Sequence, residues 1–177
     1  PYSSGKYMLI DSSSRRNLEL VETMREKQKK GSLLWVLDKT KTAMGARMLR
    51  SYIEQPLINK DEIIRRQDAI EELNDCMIDR EELREYLNPV YDMERIMTKI
   101  SCKTANPRDL IAFRNTLEMI PHIKRIIGNF KAPMVTECFN KMDDLSDLYQ
   151  LVLSAIVDEP PISVRDGGII NEGYSDE

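Results

Sequence analysis

The sequence predicts an all-α fold: an irregular multi-helix domain with a short strand near the N-terminus and an irregular C-terminal tail. Apolar residues recur at helical spacing after the first 30 residues, and most of the periodic runs carry their own start signal. No internal repeat of fixed period runs through the chain, which argues against a stacked-helix solenoid.

Taken in order, "YMLID" (Tyr7 to Asp11) is compatible with a short strand, and "MREKQKKGS" reads as an exposed loop. Ser32 is placed to cap a short apolar turn through Leu37, because its hydroxyl can accept the unpaired amides of a first turn. Thr42 is placed likewise before a helix whose Met44, Met48, Leu49, Tyr52 and Ile53 share one face until Pro56 stops it. Asn59 with Glu62, and then Asp79 with Glu82, have the spacing of capping boxes. Asn88-Pro89 and Asn106-Pro107 each predict a helix start, with proline at the first helical position, where its missing N–H costs nothing. The second of these leads the clearest stripe in the chain, Leu110, Phe113, Leu117, Ile120 and Ile127, with Pro121 inside it as a kink. Leu145, Leu148, Tyr149, Val152, Ala155 and Ile156 make a final amphipathic helix that ends near Pro160-Pro161. The tail "VRDGGIINEGYSDE" is expected to run on without a cap or a core contact, as a truncation would.

At 177 residues the chain suits one domain or a substantial piece of a larger one, and it can bury a core without metal or disulfide staples. Cys76, Cys102 and Cys138 are far apart with no C-x-x-C pair, so they are expected to be reduced, buried, structural thiols of an intracellular protein. No apolar run approaches the roughly 20 residues of a membrane span, and the start lacks a basic-then-apolar signal, which places the protein in the cytoplasm. The net charge of −4 hides an asymmetry: Pro1 to Pro56 carries 11 Lys and Arg against 6 Asp and Glu. Such a basic third can face a partner or phosphate, whereas charges scattered over amphipathic helices usually form a solvated face. An independent DNA-binding module would need a more concentrated patch and more aromatic residues.

Catalytic vocabulary is scarce. None of the seven glycines falls into a phosphate-cradling pattern, so no P-loop is encoded. A single histidine, His122, excludes a two-His zinc site, and Glu118 one turn before it offers at most an ion pair or hydrogen bond. Ser12, Ser13 and Ser14 have no nucleophile-elbow context and read as a turn or cap. Glu71-Glu72 and Asp143-Asp144 are adjacent, pointing to different sides of a helix, with solvated charge as the default. The ten methionines serve as adaptable core filler more readily than as a promiscuous groove.

Three blocks go beyond pattern: "IDSSSRRNLEL" (Ile10 to Leu20), "GSLLWVLDKTKTAMGARMLRSYIEQPL" (Gly31 to Leu57) and "DMERIMTKISCKTANPRDLIAFRNTL" (Asp92 to Leu117). Together they resemble the core, or lever, domain of the bacterial MutS mismatch-repair family, over nearly the whole chain. Ser14 stands where the family usually has Thr before the Arg-Arg pair, a change that preserves a hydroxyl. The resemblance implies a modular ATPase that grips mismatched DNA at one end and hydrolyses ATP at the other, with helical levers between. Residues 1–177 resemble the first part of those levers, ending where the family passes into its DNA-clamp insertion. Neither the family's Phe-x-Glu mismatch wedge nor its P-loop occurs in this sequence.

No catalytic, cofactor-binding or metal residue is therefore expected in this chain. The resemblance assigns Arg15, Arg16 and Asn17 to an anchoring or coupling role between domains, through charge-assisted hydrogen bonds, with exposed solvated charge as the alternative. Trp35, Met44 and Met48 are expected to pack a structural hub. For the full-length protein it implies mismatched double-stranded DNA, ATP with magnesium, MutL and a second MutS subunit as ligands and partners, with direct DNA contact by this chain not expected. Two rival readings remain open at this point. One is a free-standing helical adaptor that binds a partner protein through a Met-rich or basic surface. The other is a small helical enzyme using converging carboxylates and a substrate-supplied metal.

Overall fold

Nine α-helices and one short 3-10 turn make up the regular structure among residues 5–175, the part of the chain that the computed structural model describes. The fold is all-α. The expected strand at Tyr7 to Asp11 is reduced to one antiparallel bridge between Tyr7 and Leu57. Helix α1 (Ser12–Asn17) starts at Asp11, whose carboxylate accepts from the Ser14 amide and hydroxyl at 2.9 and 2.6 Å. These two bonds, the hydroxyl first, hold the Asp11 carboxyl below its usual pKa.

Helices α2 (Leu33–Leu37) and α3 (Ala43–Glu54) open at the predicted caps. Ser32 accepts from the Trp35 amide and Thr42 from the Gly45 amide. Gly45 is fitted to that cap: an added Cβ would lie 3.0 Å from the Thr42 hydroxyl oxygen and 3.5 Å from the Thr40 Cβ, forcing the capping group to shift. Asn59 caps α4 (Lys60–Asp75) through the Asp61 and Glu62 amides. Asn106 caps α7 (Pro107–Ile127) in a complete capping box, its side chain accepting from the Asp109 amide while its own amide donates to the Asp109 carboxylate.

Other boundaries differ from the sequence reading. Helix α5 (Met77–Leu87) begins before Asp79, directly after the bend at Cys76, which places Asp79 inside the first turn instead of at the cap. Asn88 closes α5 instead of opening a new helix; its amide donates to the Arg84 and Glu85 carbonyls. The next helix, α6 (Met93–Ser101), starts at Asp92, which caps the Arg95 amide. Helix α8 (Pro133–Lys141) was not foreseen from the sequence. It has no cap of its own, and Glu72 of α4 supplies one, accepting from the Lys131 and Ala132 amides at 2.7 Å each. Glu72 is thus a structural acceptor, not the solvated charge expected of the Glu71-Glu72 pair.

Two apolar clusters hold the helices together, and α7 runs through both. Ile123, Ile126 and Ile127 pack with Ala69, Phe130, Ala132 and Val135. Phe113 and Leu117 pack with Ile96, Val152 and Ile156. Helix α7 continues through Pro121, which lies on its exposed side. Pro121 withholds only the N–H that would have met the carbonyl one turn earlier. At 1.5 Å per residue, its 21 residues span about 30 Å.

The tail also departs from expectation. After α9 (Ser146–Ala155) the chain turns back, the Val157 amide donates to the Ile169 carbonyl, and Ile169 packs against the second cluster. Asn171 then caps the end of α9: its side-chain amide donates to the carbonyls of Leu153, Ser154 and Ile156 at 3.2, 2.9 and 3.1 Å. The acidic end of the tail, Asp176 and Glu177, lies outside the described residues. All three cysteines are exposed rather than buried, because each falls at a helix end or on a solvent-facing position.

Candidate interdomain surface and the joining of three sequence blocks

The three blocks singled out in the sequence meet in space. The first two are joined by backbone: the Leu33 and Leu34 amides donate to the Glu19 and Leu20 carbonyls at 3.0 and 2.9 Å. Ser32, 1% exposed, ties the corner by donating to the Lys29 carbonyl at 2.7 Å while capping α2. The second and third blocks are joined by charge. Arg47 of α3 presents its two terminal nitrogens to the two Asp92 oxygens at 2.6 and 2.8 Å, and Glu94 takes a further bond from the same guanidinium. A bidentate fork of this kind fixes orientation as well as distance. The fork holds the Asp92 carboxyl down at a pKa of about 2 and raises that of Arg47.

The same arrangement continues along the chain. Asp92 caps α6, and Lys99 in the last turn of α6 donates to Asp109 at 2.7 Å. Asp109 is itself half of the capping box that starts α7. Farther on, Arg114 pairs with Asp158 at 2.8 Å and Arg108 donates to the Pro160 carbonyl at 3.3 Å, fastening the segment after α9 to α7.

The side chains assigned to coupling and to the hub take no part in the hydrogen bonds and ion pairs of these joints. Arg15 donates through Nε to the Ile10 carbonyl at 3.0 Å, a bond within its own turn. Arg16 and Asn17 are exposed, and no side-chain hydrogen bond or ion pair is recorded for either among the described residues. Of the hub residues, Met44 is half-buried, but Trp35 is 47% and Met48 57% exposed, and neither belongs to the two clusters. The five-residue helix α2 buries only Leu34 and leaves Leu33, Trp35, Val36 and Leu37 facing outward.

His122 stacks on Tyr86, ring centroids 4.8 Å apart and 3° from parallel, instead of bonding Glu118. Among the described residues, no three His, Cys, Asp or Glu side chains gather as a metal ion would require. No described helix is long and apolar enough to cross a membrane.

The Arg47 fork, Glu72 and Asn171 escaped the sequence reading. Each acts on a partner many residues away, and only Asp92 left a local trace, as an acidic cap before the periodic Met93, Ile96 and Ile100. The competing Asn88-Pro89 signal masked it.

An all-α packing domain, with its specific residues spent on joining helix ends, is the class that this fold and surface define. A family model described as MutS domain III matches residues 13–176. The chain belongs to the MutS domain III family, the core or lever region of a DNA mismatch repair protein. It is 62% identical over its whole length to the DNA mismatch repair protein MutS of Lachnoclostridium phytofermentans, of which it covers 19%. Over 99% of its length it is 52% identical to MutS of Ruminiclostridium cellulolyticum and 49% to that of Acetivibrio thermocellus. In both it covers 20% of the relative, so the chain spans about one fifth of the curated proteins it matches.

Proposed function

We propose that this chain is a structural lever within a longer mismatch-repair ATPase, carrying displacement between a DNA-gripping end and a distant nucleotide site and performing no catalysis itself. The observation that carries the reading is α7: one helix of about 30 Å supplies side chains to both apolar clusters, so the clusters move as parts of one beam. A transmitting element needs such rigid parts, with defined joints between them. The outward-facing residues of α2 and the unpartnered Arg16 and Asn17 suit contacts with neighbouring domains of the longer protein. Mismatched duplex DNA, ATP with magnesium, MutL and a second MutS subunit are the partners of that longer, cytoplasmic protein. This chain reaches them through its neighbours.

The test is Arg16→Ala in the intact protein. Among the described residues the Arg16 side chain has no partner, so folding and ATP binding should be retained while the change in ATPase rate on adding mismatched DNA is reduced. An unchanged response to DNA would remove Arg16 from the coupling route.

A further inference from the structure

Residues 5–57 have buried residues of their own, Leu20, Ser32, Leu34 and Leu57, which belong to neither apolar cluster. They are bound to one another by backbone. The Leu33 and Leu34 amides reach Glu19 and Leu20, the Met8 amide donates to the Pro56 carbonyl at 2.8 Å, and the Ile58 amide to the Lys6 carbonyl at 3.3 Å.

What joins this unit to the helices beyond it is of a different kind. Helix α3 has an apolar face, yet it buries none of its residues. Beside its Tyr52 lies an open apolar trough of about 350 Å³, lined also by Ala69, Ile70 and Leu73 of α4, Leu83 of α5 and Val135 of α8. Met44, Leu49, Tyr52 and Ile53 of α3 are no more than half-buried, and the hydrogen bonds, ion pairs and ring contacts that cross the boundary among the described residues are few. Arg47 forks onto Asp92 with Glu94 alongside, Arg84 donates to the Lys39 carbonyl at 3.3 Å, and the Arg66 guanidinium lies 3.6 Å from the centroid of the Tyr52 ring. A boundary closed by few polar contacts over an unfilled trough opens at lower free energy than a packed core unfolds.

We propose that residues 5–57 swing from the helical body, turning about Ile58 and Asn59, with Arg47 on Asp92 and Glu94 as the clip that holds them shut, and that α3, a helix of 12 residues then left without support from the body, frays in the open state. Because Asp92 also caps α6, and Lys99 of α6 bonds the Asp109 of the α7 capping box, the clip bears directly on the starts of two helices. Arg47 is itself 43% exposed, which leaves the clip open to screening by salt.

Hydrogen exchange on this chain, read by mass spectrometry, tests the device without DNA or nucleotide. Amides of Ala43–Glu54 are expected to exchange at least roughly tenfold faster than those of α7 around Leu117. Arg47→Met should speed α3 by roughly two- to fivefold while α7 keeps its rate. Raised salt should move the wild-type chain in the same direction. Asp92→Asn keeps a capping side chain for α6 and removes the charge, so it should reproduce Arg47→Met. Equal exchange of α3 and α7 would overturn the hinge, as would a joint rise of both in Arg47→Met or no change in α3. An effect seen in Asp92→Ala but not Asp92→Asn would assign Asp92 to capping and overturn the clip.

Discussion

Thr116 shows how one hydroxyl on α7 decides the path of another segment. Only 2% exposed, it donates to the Ala112 carbonyl at 2.9 Å and accepts from the Tyr91 amide at 3.0 Å, which seats the turn between α5 and α6. Thr116→Val keeps the shape and removes the acceptor, leaving the Tyr91 N–H without its partner. The expected loss is about 1–3 kcal/mol in a urea melt. A midpoint equal to that of the wild type would show that water replaces the hydroxyl. Thr116 was not singled out in the sequence, because a threonine inside an apolar stripe gives no sign of which distant amide it serves.

Among the elements, α8 depends on another helix for its start. The Glu72 carboxylate holds the Lys131 and Ala132 amides from α4, where α8 offers no capping side chain. Glu72→Ala should cost about 1–2 kcal/mol of stability, with amide exchange of Pro133–Lys141 accelerated before that of α7. Unchanged exchange in α8 would contradict the borrowed cap. Local caps were legible in the sequence at Ser32, Thr42, Asn59 and Asn106, because cap and helix lie within three residues of each other. Helix α8 was missed for the converse reason: its cap lies about 60 residues upstream. Asn88 misled because an Asn-Pro pair suits the residue after a helix as well as the one before it.

Across the whole molecule, ion pairs set the response to acid, and one of them, Arg47 on Asp92, joins elements that the two apolar clusters leave apart. Asp38 is held at a pKa of about 2 chiefly by Lys29, Asp92 at about 2 by Arg47, and Glu137 at about 2 by Lys141 and Arg65. Their ordinary values are 3.8 for Asp and 4.5 for Glu. Each folded value is depressed, so the stabilisation is full above the unfolded values and is lost as pH falls toward the folded ones. Denaturant midpoints at constant ionic strength should therefore hold above about pH 5 and fall between about pH 4.5 and 2, less steeply in Asp92→Asn. A flat profile would show that these pairs contribute nothing to the folded state. The helical class, four of the caps and the stripe on α7 are legible in the residue order, since periodicity and capping act over one or two turns. That Trp35 and Met48 stay outside the two clusters, that the tail returns to cap α9, and that Arg47 meets Asp92 follows from the folded arrangement alone, because each depends on which distant surfaces the chain brings together.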